Sequence, residues 1–241
     1  STQQETLFPY TTLFRSGFFY SSFAVMTFAA AGLVLHERSP ESVRAGIVYV
    51  AMAVVGEVLI LAGLLWLAFE AGTIEIAGLS AGYANGGASN GVIALLLFGF
   101  GVKAGLLPVH VWLPQAHPVA PTPASAVLSG AMVKAGLFGW LTFLPGGLAD
   151  FPEWGSLCII LGLVAAFGAA YAGLTQTNAK ATLAYSSISQ LGLMTLILGI
   201  GLASAQAWPV AVALIAFFAL NHAFAKGALF MSAGAAHAAQ G

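Results

Sequence analysis

Seven long apolar stretches limit what this chain can fold into. A helix needs about 20 apolar residues to cross the hydrocarbon core of a bilayer. The stretches cover residues 18–35, 45–69, 91–112, 124–144, 156–174, 182–203 and 208–236. Only 6% of the residues are charged, against about 25% in soluble domains, so the surface is suited to lipid. The sequence therefore predicts an all-α, polytopic membrane helix bundle of about seven transmembrane helices.

Three lysines, Lys103, Lys134 and Lys226, lie deep inside these apolar stretches. A lysine at the centre of a bilayer costs about 2.5–3.5 kcal/mol on insertion scales, and such residues usually mark a proton relay, an ion path or a buried ion pair. Because desolvation disfavours the charged amine, a buried lysine can load and release a proton near neutral pH. A static ion pair between helices is the alternative, but the chain has too few acids to neutralise every lysine.

Glu57 is the only carboxylate deep inside one of the stretches. It is the natural partner for one of the buried lysines, although the sequence does not show which. The alternative is a protonated glutamic acid that hydrogen-bonds neighbouring helices to each other.

Three histidines are further candidates for proton transfer. His222 and Lys226 are spaced i, i+4 and therefore share a helix face. His110 and His117 follow Lys103 at intervals of seven residues, a spacing that would align all three on an unbroken helix. Since histidine titrates near neutral pH, a path from Lys103 through His110 and His117 could lead toward the cytoplasmic surface. Alternatively, both histidines are interfacial hydrogen-bonding residues that hold the loop.

Prolines predict that the bundle contains broken helices. Pro108 should kink or break the third helix about one turn after Lys103. Residues 114–123 contain four prolines and almost no charge, so a continuous helix is not expected there. Irregular backbone at membrane depth is tolerated only where protein or a water-filled cavity covers it.

The charges in the predicted loops indicate an orientation. One side carries Arg38, Arg44 and Lys180, and the positive-inside rule places that side in the cytoplasm. The loops on the other side carry acidic residues instead: Glu70, Glu75, Asp150 and Glu153. Because Lys180 lies at the end of a predicted span, we expect its side chain to extend to the membrane surface as an anchor.

Several classes of function are not supported by the sequence. A net charge of −1 gives no reason to expect nucleic acid as a partner. The single cysteine, Cys158, rules out a disulfide framework and a cysteine-based metal site. Residues 99–105 superficially resemble a nucleotide-binding loop, but no strand precedes them. We expect no metal, no cofactor and no redox site in this chain.

Four segments carry a resemblance to a known family. They are LPVHVWLPQAH at 107–117, PTPASAVLSG at 121–130, KATLAYSSISQLG at 180–192 and NHAFAKGALF at 221–230. Together they resemble the antiporter-like subunits of respiratory complex I, which share a fold with subunits of multisubunit Na⁺/H⁺ antiporters and membrane-bound hydrogenases. The resemblance implies a fold of two inverted five-helix repeats, each with a broken helix.

The resemblance also implies roles for the buried lysines. It places Lys103 on the first broken helix, Lys134 on the next helix, and His222 with Lys226 in a central connecting relay. Residues 17–241 would form the first five-helix repeat and part of the second, as a fragment of a longer protein. Residues 1–16 contain a stretch that resembles a translated sequencing adapter, and we expect them to be an assembly artefact.

The chain departs from the family pattern at one position. The family usually carries a glutamate on the helix that corresponds to residues 18–35, and this glutamate pairs with the lysine of the broken helix. Alignment places Ala24 at that position. Either the ion pair has been lost, or Glu57 on the next helix replaces it. We predict the replacement.

The leading functional hypothesis is translocation of protons, with or without Na⁺, through a Lys/Glu/His relay in the middle of the membrane. The chain would act in a prokaryotic inner membrane as a subunit of a larger NADH:quinone oxidoreductase-type or hydrogenase complex. Its partners would be lipid and other membrane subunits. One alternative is a structural subunit whose relay is partly lost. Another is a quinone-processing redox subunit with His110 or His117 at the quinone headgroup.

Overall fold

The computed structural model describes residues 2–73, 76, 78–79, 83 and 90–239, with backbone only for 2–16, 18, 237 and 238. The helices are α1 (Thr2–Val34), α2 (Pro40–Ala71), α3 (Asn90–Ala104), α4 (Trp112–Val119), α5 (Thr122–Phe143), α6 (Pro152–Leu174), α7 (Ala179–Ala203) and α8 (Trp208–Ala238). A π-helical turn, Leu128–Met132, interrupts α5, and a 3₁₀ turn, Ala205–Ala207, precedes α8. The described residues form an all-helical bundle, as predicted.

Five of these helices are long and apolar enough to cross a membrane. They are α2, α5, α6, α7 and the segment Ala205–Ala236 that contains most of α8. Two shorter apolar helices, Phe19–Val34 and Asn90–Ala104, correspond to the first and third predicted stretches. Each of the seven predicted stretches therefore has a helical counterpart among the described residues.

Local sequence signals explain where the helices begin and end. The Ser39 hydroxyl oxygen accepts a hydrogen bond from the Ser42 amide at 3.1 Å and caps α2, with Pro40 in its first turn. Gly72 ends α2 in the left-handed conformation, with φ 64°. Asn178 caps α7 through its side-chain oxygen. These short polar caps position the long apolar helices between them.

The third predicted helix is broken, as the proline pattern indicated. Helix α3 ends at Ala104, and the chain turns at Gly105, whose φ is 77°. It resumes as α4 at Trp112. Pro108 lies inside this turn, where the backbone forms no regular helix that a missing N–H could interrupt.

The proline-rich segment at 114–123 contains more helix than predicted. Pro114 and Pro118 lie inside α4, and Pro123 lies in the first turn of α5. Proline is compatible with a first turn because the amides there have no partner within the helix. The break is therefore confined to the short link between α4 and α5, around Ala120 and Pro121.

Close backbone approach determines how the helices pack. A Cβ atom added at Gly162 of α6 would lie 2.6 Å from the carbonyl oxygen of Gly192 on α7. A Cβ atom added at Gly136 of α5 would lie 2.6 Å from the Ala104 amide nitrogen and 2.7 Å from the Phe100 carbonyl oxygen. Small residues at such crossings are typical of membrane helix packing. The second crossing brings together the helices that carry Lys103 and Lys134.

Side-chain contacts identify the two ends of the bundle. At one end, Lys180 donates to the Ala120 carbonyl at 2.9 Å and ties α7 to the α4–α5 link. The Lys180 amine is thus hydrogen-bonded to the helix break, and its role as a membrane anchor stays a prediction. At the opposite end, Trp154 donates to Asn90 at 2.9 Å. Glu75 lies outside the described residues.

Candidate functional site: two buried polar clusters

Most of the buried polar side chains belong to two clusters. We call the first the Glu57 cluster; it contains Thr27, Tyr49, Glu57 and Lys103. We call the second the Lys134 cluster; it contains Ser129, Lys134, Ser186, Ser187, His222 and Lys226. Because unpaired polar groups are costly away from water, the partners of each group decide what the clusters can do.

Helices α1, α2 and α3 each contribute to the Glu57 cluster. The Thr27 hydroxyl lies 2.7 Å from Glu57 Oε1 and 2.8 Å from the Phe23 carbonyl oxygen. Tyr49 donates to the Thr27 carbonyl oxygen at 2.7 Å, and Lys103 Nζ donates to the Tyr49 hydroxyl at 3.2 Å. One acid and one amine are thus held in a single network, with Glu57 and Lys103 only 6% and 4% exposed.

The helix break supports the Lys103 side of this cluster. The Trp112 indole N–H donates to the Val102 carbonyl at 2.6 Å, which satisfies one of the carbonyls at the end of α3. The Trp112 ring also packs edge-on against the Tyr49 ring, with centroids 5.2 Å apart. Lys103 lies in the last turn of α3, where the carbonyl ends of the helix favour a positive charge. The break therefore creates a polar environment for the amine.

Helices α5 and α8 form the centre of the Lys134 cluster. Lys134 Nζ lies 2.5 Å from His222 Nδ1 and 2.5 Å from the Ser129 carbonyl oxygen. Ser129 is in the π-helical turn that precedes Lys134, and π-helical turns are frequent at functional sites. His222 is fully buried. Contact with a charged amine requires a neutral Nδ1 that accepts the hydrogen bond.

Helix α7 adds a set of hydroxyl groups to the same cluster. Lys226 Nζ donates to the Leu183 carbonyl at 3.1 Å and also to the Ser186 hydroxyl. The Ser129 and Ser187 hydroxyl oxygens lie 2.9 Å apart and join α5 to α7. Ser186 and Ser187 thus line the polar face of α7, which is continuous.

The two clusters lie next to each other in the bundle. The Tyr49 hydroxyl of the first cluster is 3.6 Å from the sulfur of Met132, in the π-helical turn of α5. Gly136, one turn beyond, packs against the α3 backbone near Lys103. A Met sulfur is only a weak acceptor, so this contact places the clusters together without joining them by a strong hydrogen bond.

His110 and His117 occupy different surroundings from each other. His117 is fully buried in α4 and stacks on Phe230 of α8, with ring centroids 4.8 Å apart and 23° between the planes. Within the described residues, neither of its ring nitrogens has a hydrogen-bond partner. His110 lies half-buried in the turn between α3 and α4. The hydrogen bonds of the described residues do not connect either histidine to Lys103.

Five residues of the clusters were not among the candidates predicted from the sequence: Thr27, Tyr49, Ser129, Ser186 and Ser187. Each is a polar residue within an apolar stretch, which is a weak signal because hydroxyl groups often bond to their own helix. Thr27 had a stronger signal. It lies three residues after Ala24, close to the position where the family places its glutamate, and it binds Glu57 from the neighbouring helix.

No metal site stands out in the described part of the chain. No group of three or more His, Cys, Asp or Glu side chains there could hold a metal ion. The polar atoms of both clusters are instead arranged as amines, one carboxylate, one imidazole and hydroxyl groups, which are groups that exchange protons.

Comparison with known proteins identifies the family. The sequence model described as NADH:quinone oxidoreductase/Mrp antiporter, TM, matches residues 17–241. The chain belongs to this family of integral membrane proteins.

Individual relatives agree with this assignment. Hydrogenase-4 component B of Escherichia coli K12 is 37% identical over 221 residues, which cover 88% of this chain and 33% of that protein. Putative antiporter subunit mnhA2 of Staphylococcus aureus is 38% identical over 196 residues, or 76% of this chain and 24% of that protein. The chain thus spans about a third or less of the length of these curated relatives.

A solved structure shows the same fold. The structure of the membrane-bound sulfane sulfur reductase, described as an archaeal respiratory membrane complex, contains a chain that matches with a TM-score of 0.75 and 27% identity. The match covers 89% of this chain and 44% of that chain. The described helices therefore share the fold of that chain.

Proposed function

We propose that this chain translocates protons across the membrane through Glu57, Lys103, Lys134, His222 and Lys226, as a subunit of a larger energy-converting complex. Family membership supports ion translocation in general. The buried polar clusters support these five residues in particular. His110 and His117 remain candidates for a side path, since the described hydrogen bonds leave them outside both clusters.

One observation carries this proposal: the amines of buried Lys103 and Lys226 and of half-buried Lys134 have hydrogen-bonding partners inside the protein. Lys103 reaches Tyr49, Lys134 reaches His222, and Lys226 reaches Ser186. A lysine that only anchored a helix would extend its amine to the membrane surface. Amines retained inside the bundle, next to an acid and an imidazole, are suited to accept and release protons.

The Glu57 cluster supports our prediction about the glutamate that the family pattern would place at Ala24. Glu57 is the acid of this cluster, and Thr27 connects it to the helix that carries Ala24. We propose that Glu57 replaces the glutamate absent at position 24. On this proposal the acid lies on the neighbouring helix, and Thr27 and Tyr49 connect it to Lys103.

The proposed route continues from Lys103 to the Lys134 cluster. A proton that leaves Lys103 would pass to the Lys134–His222 pair and then to Lys226. Because an ammonium beside a charged imidazole is unfavourable, the pair holds one proton more easily than two. Arrival of a second proton would therefore favour release toward Lys226. Sodium in place of some protons is a variant of the same proposal.

The partners and orientation belong to the same proposal. Long apolar side chains cover the outer faces of α6 and α8, where Phe167 is 73% and Phe217 is 74% exposed. Lipid or other membrane subunits would cover these faces in a prokaryotic inner membrane. The end that carries Arg38, Arg44 and Lys180 would face the cytoplasm.

Substitution of the buried lysines tests the proposal. Lys103→Met and Lys134→Met, made in the full-length protein within its complex, keep most of the side-chain volume and remove the amine. Proton flux in sealed membrane vesicles should fall at least about a hundredfold while the complex assembles normally. Lys180→Met, outside both clusters, is the matched control. Loss of assembly with the flux per assembled complex unchanged would indicate a structural subunit instead.

A further inference from the structure

The hydrogen bonds that hold Glu57 and Lys103 together do not form a path for a proton. Lys103 Nζ donates to the Tyr49 hydroxyl, and this hydroxyl donates to the carbonyl oxygen of Thr27. A carbonyl oxygen has no proton to pass on. Thr27 contacts Glu57 through a different atom, its hydroxyl oxygen. The protein network therefore positions the acid and the amine, and proton exchange between them needs a second connection.

A small cavity is lined by both of these side chains. It has a volume of about 10 Å³ and is lined by Glu57, Lys103, Ala53 and Gly56 together with apolar neighbours. A cavity of roughly 10–15 Å³ accommodates one water molecule when polar partners are available. The cavity is thus the right size for a single water between the two charged groups.

Glu57 supplies an unused acceptor at this place. Its side chain is 94% buried, since only 6% is exposed. Oε1 binds Thr27, while Oε2 has no hydrogen-bond partner among the described residues. Lys103 has three donors, and the described hydrogen bonds use one of them, to Tyr49. An acceptor and a donor are thus both available at the cavity.

We propose that one ordered water molecule binds in this cavity, between Glu57 Oε2 and Lys103 Nζ, and carries the proton between them. The protonated Glu57 carboxyl gives its proton to the water oxygen as the water gives one of its own to the neutral Lys103 amine. The carboxylate and the ammonium form, and the water is regenerated. This inference rests on the proposed function, because it supplies the first step of that relay.

Ala53 allows the water to be displaced without a change to either charged group. It lies four residues before Glu57 on α2 and lines the cavity. Ala53→Val fills the space with methyl groups, whereas Ala53→Ser fills it with a hydroxyl that can itself pass a proton. Ala51→Val, on the exposed face of α2 two residues away, controls for a β-branched residue in this helix.

The test uses the full-length protein in its complex. Proton flux should fall at least about tenfold in Ala53→Val relative to the unmodified protein. In Ala53→Ser it should be at least about tenfold higher than in Ala53→Val. Both differences are within the range contributed by positioned proton-transfer groups. Ala51→Val should conduct as the unmodified protein does. Infrared difference spectra should show a water O–H band that shifts in heavy-oxygen water, and this band should vanish in Ala53→Val.

The outcomes separate this inference from the proposed function. Unchanged flux in Ala53→Val, with flux lost in Lys103→Met, overturns the water site and leaves the relay intact. Unchanged flux in Lys103→Met overturns the relay itself. If Ala53→Val does not assemble, the infrared spectra provide the test. The water site is overturned if the water O–H band is absent from the unmodified complex. It is also overturned if that band persists in Glu57→Gln.

Discussion

Lys134 Nζ lies 2.5 Å from His222 Nδ1, a residue 88 positions later in the chain. Both side chains are bases, and a hydrogen bond at this distance needs one proton between the two nitrogens. The pair brings two bases from α5 and α8 into contact, and in the proposed relay it would hold one proton. A second proton would place two positive charges in contact inside an apolar bundle, which is strongly unfavourable.

The Lys134–His222 pair leads to a first prediction. His222→Gln keeps a side chain that can accept the Lys134 hydrogen bond, but it cannot be protonated. Proton flux should fall about a hundredfold, at the low end of the contribution of a general acid–base group, while assembly is retained. His36→Gln, at an exposed position beyond α1, should have no effect. Proton flux retained in His222→Gln would show that His222 has a packing role and takes no part in proton transfer.

A second prediction concerns the replacement of the family glutamate. Glu57→Gln preserves shape and the contact with Thr27 but removes the carboxylate. We expect at least about a hundredfold loss of proton flux in vesicles that contain the assembled complex. Glu70→Gln, at the opposite end of the same helix where Glu70 bonds to Trp66, is the control. Equal flux in both variants would remove Glu57 from the mechanism.

The Tyr49 hydroxyl gives a third prediction. Tyr49→Phe removes the group that binds both Lys103 and the Thr27 carbonyl oxygen. A hydrogen bond to a charged group contributes about 1.5–3 kcal/mol, so we expect a lower unfolding temperature together with reduced flux. Tyr171→Phe, on a side chain that is 73% exposed, should change neither quantity. An unaltered unfolding temperature in Tyr49→Phe would contradict the positioning role.

The α3–α5 crossing supports a fourth prediction, on stability. Gly136→Ala places a methyl group within 2.7 Å of the α3 backbone, and overpacking of this kind costs about 1–3 kcal/mol. Gly168→Ala on α6 adds the same group where nothing lies within 4 Å, and it should stabilise its helix by about 0.5–1 kcal/mol. Thermal unfolding of both purified variants measures the difference. Equal unfolding temperatures would show that α3 and α5 are not packed this closely.

His117 provides a fifth prediction. It packs against Phe230 with no hydrogen-bond partner among the described residues. His117→Phe should therefore keep more than half of the proton flux, as measured in the same vesicles. A loss as large as that of His222→Gln would place His117 in the proton path. His110→Gln tests the other member of the predicted side path by the same assay.

The bundle and its break were predictable because membrane insertion imposes simple local rules. A long apolar stretch must form a helix, since its backbone groups have no water to bond to. The break after Lys103 was predictable from Pro108 for the same local reason. The helicity of residues 114–119 was missed. Pro114 lies in the first turn of α4, where proline is tolerated, but Pro118 lies inside the helix, so proline alone did not mark the break.

The polar partners were harder to predict, because contacts between distant segments do not follow from spacing along the chain. The i, i+4 spacing of His222 and Lys226 correctly places both in one cluster, yet their partners are Lys134 and Ser186 on other helices. The seven-residue spacing of His110 and His117 assumed an unbroken helix. The turn at 105–111 removes that alignment.

The sequence by itself determined that the chain enters the membrane, that its third helix breaks, and that three lysines and one acid lie within apolar helices. Each of these follows from the cost of placing a charge or an unpaired backbone group in hydrocarbon. Only the tertiary structure decided which groups meet. The crossing of α3 and α5 and the approach of α1 to α2 bring Lys103 toward Glu57 through Tyr49 and Thr27, because packing, unlike insertion, depends on residues far apart in the chain.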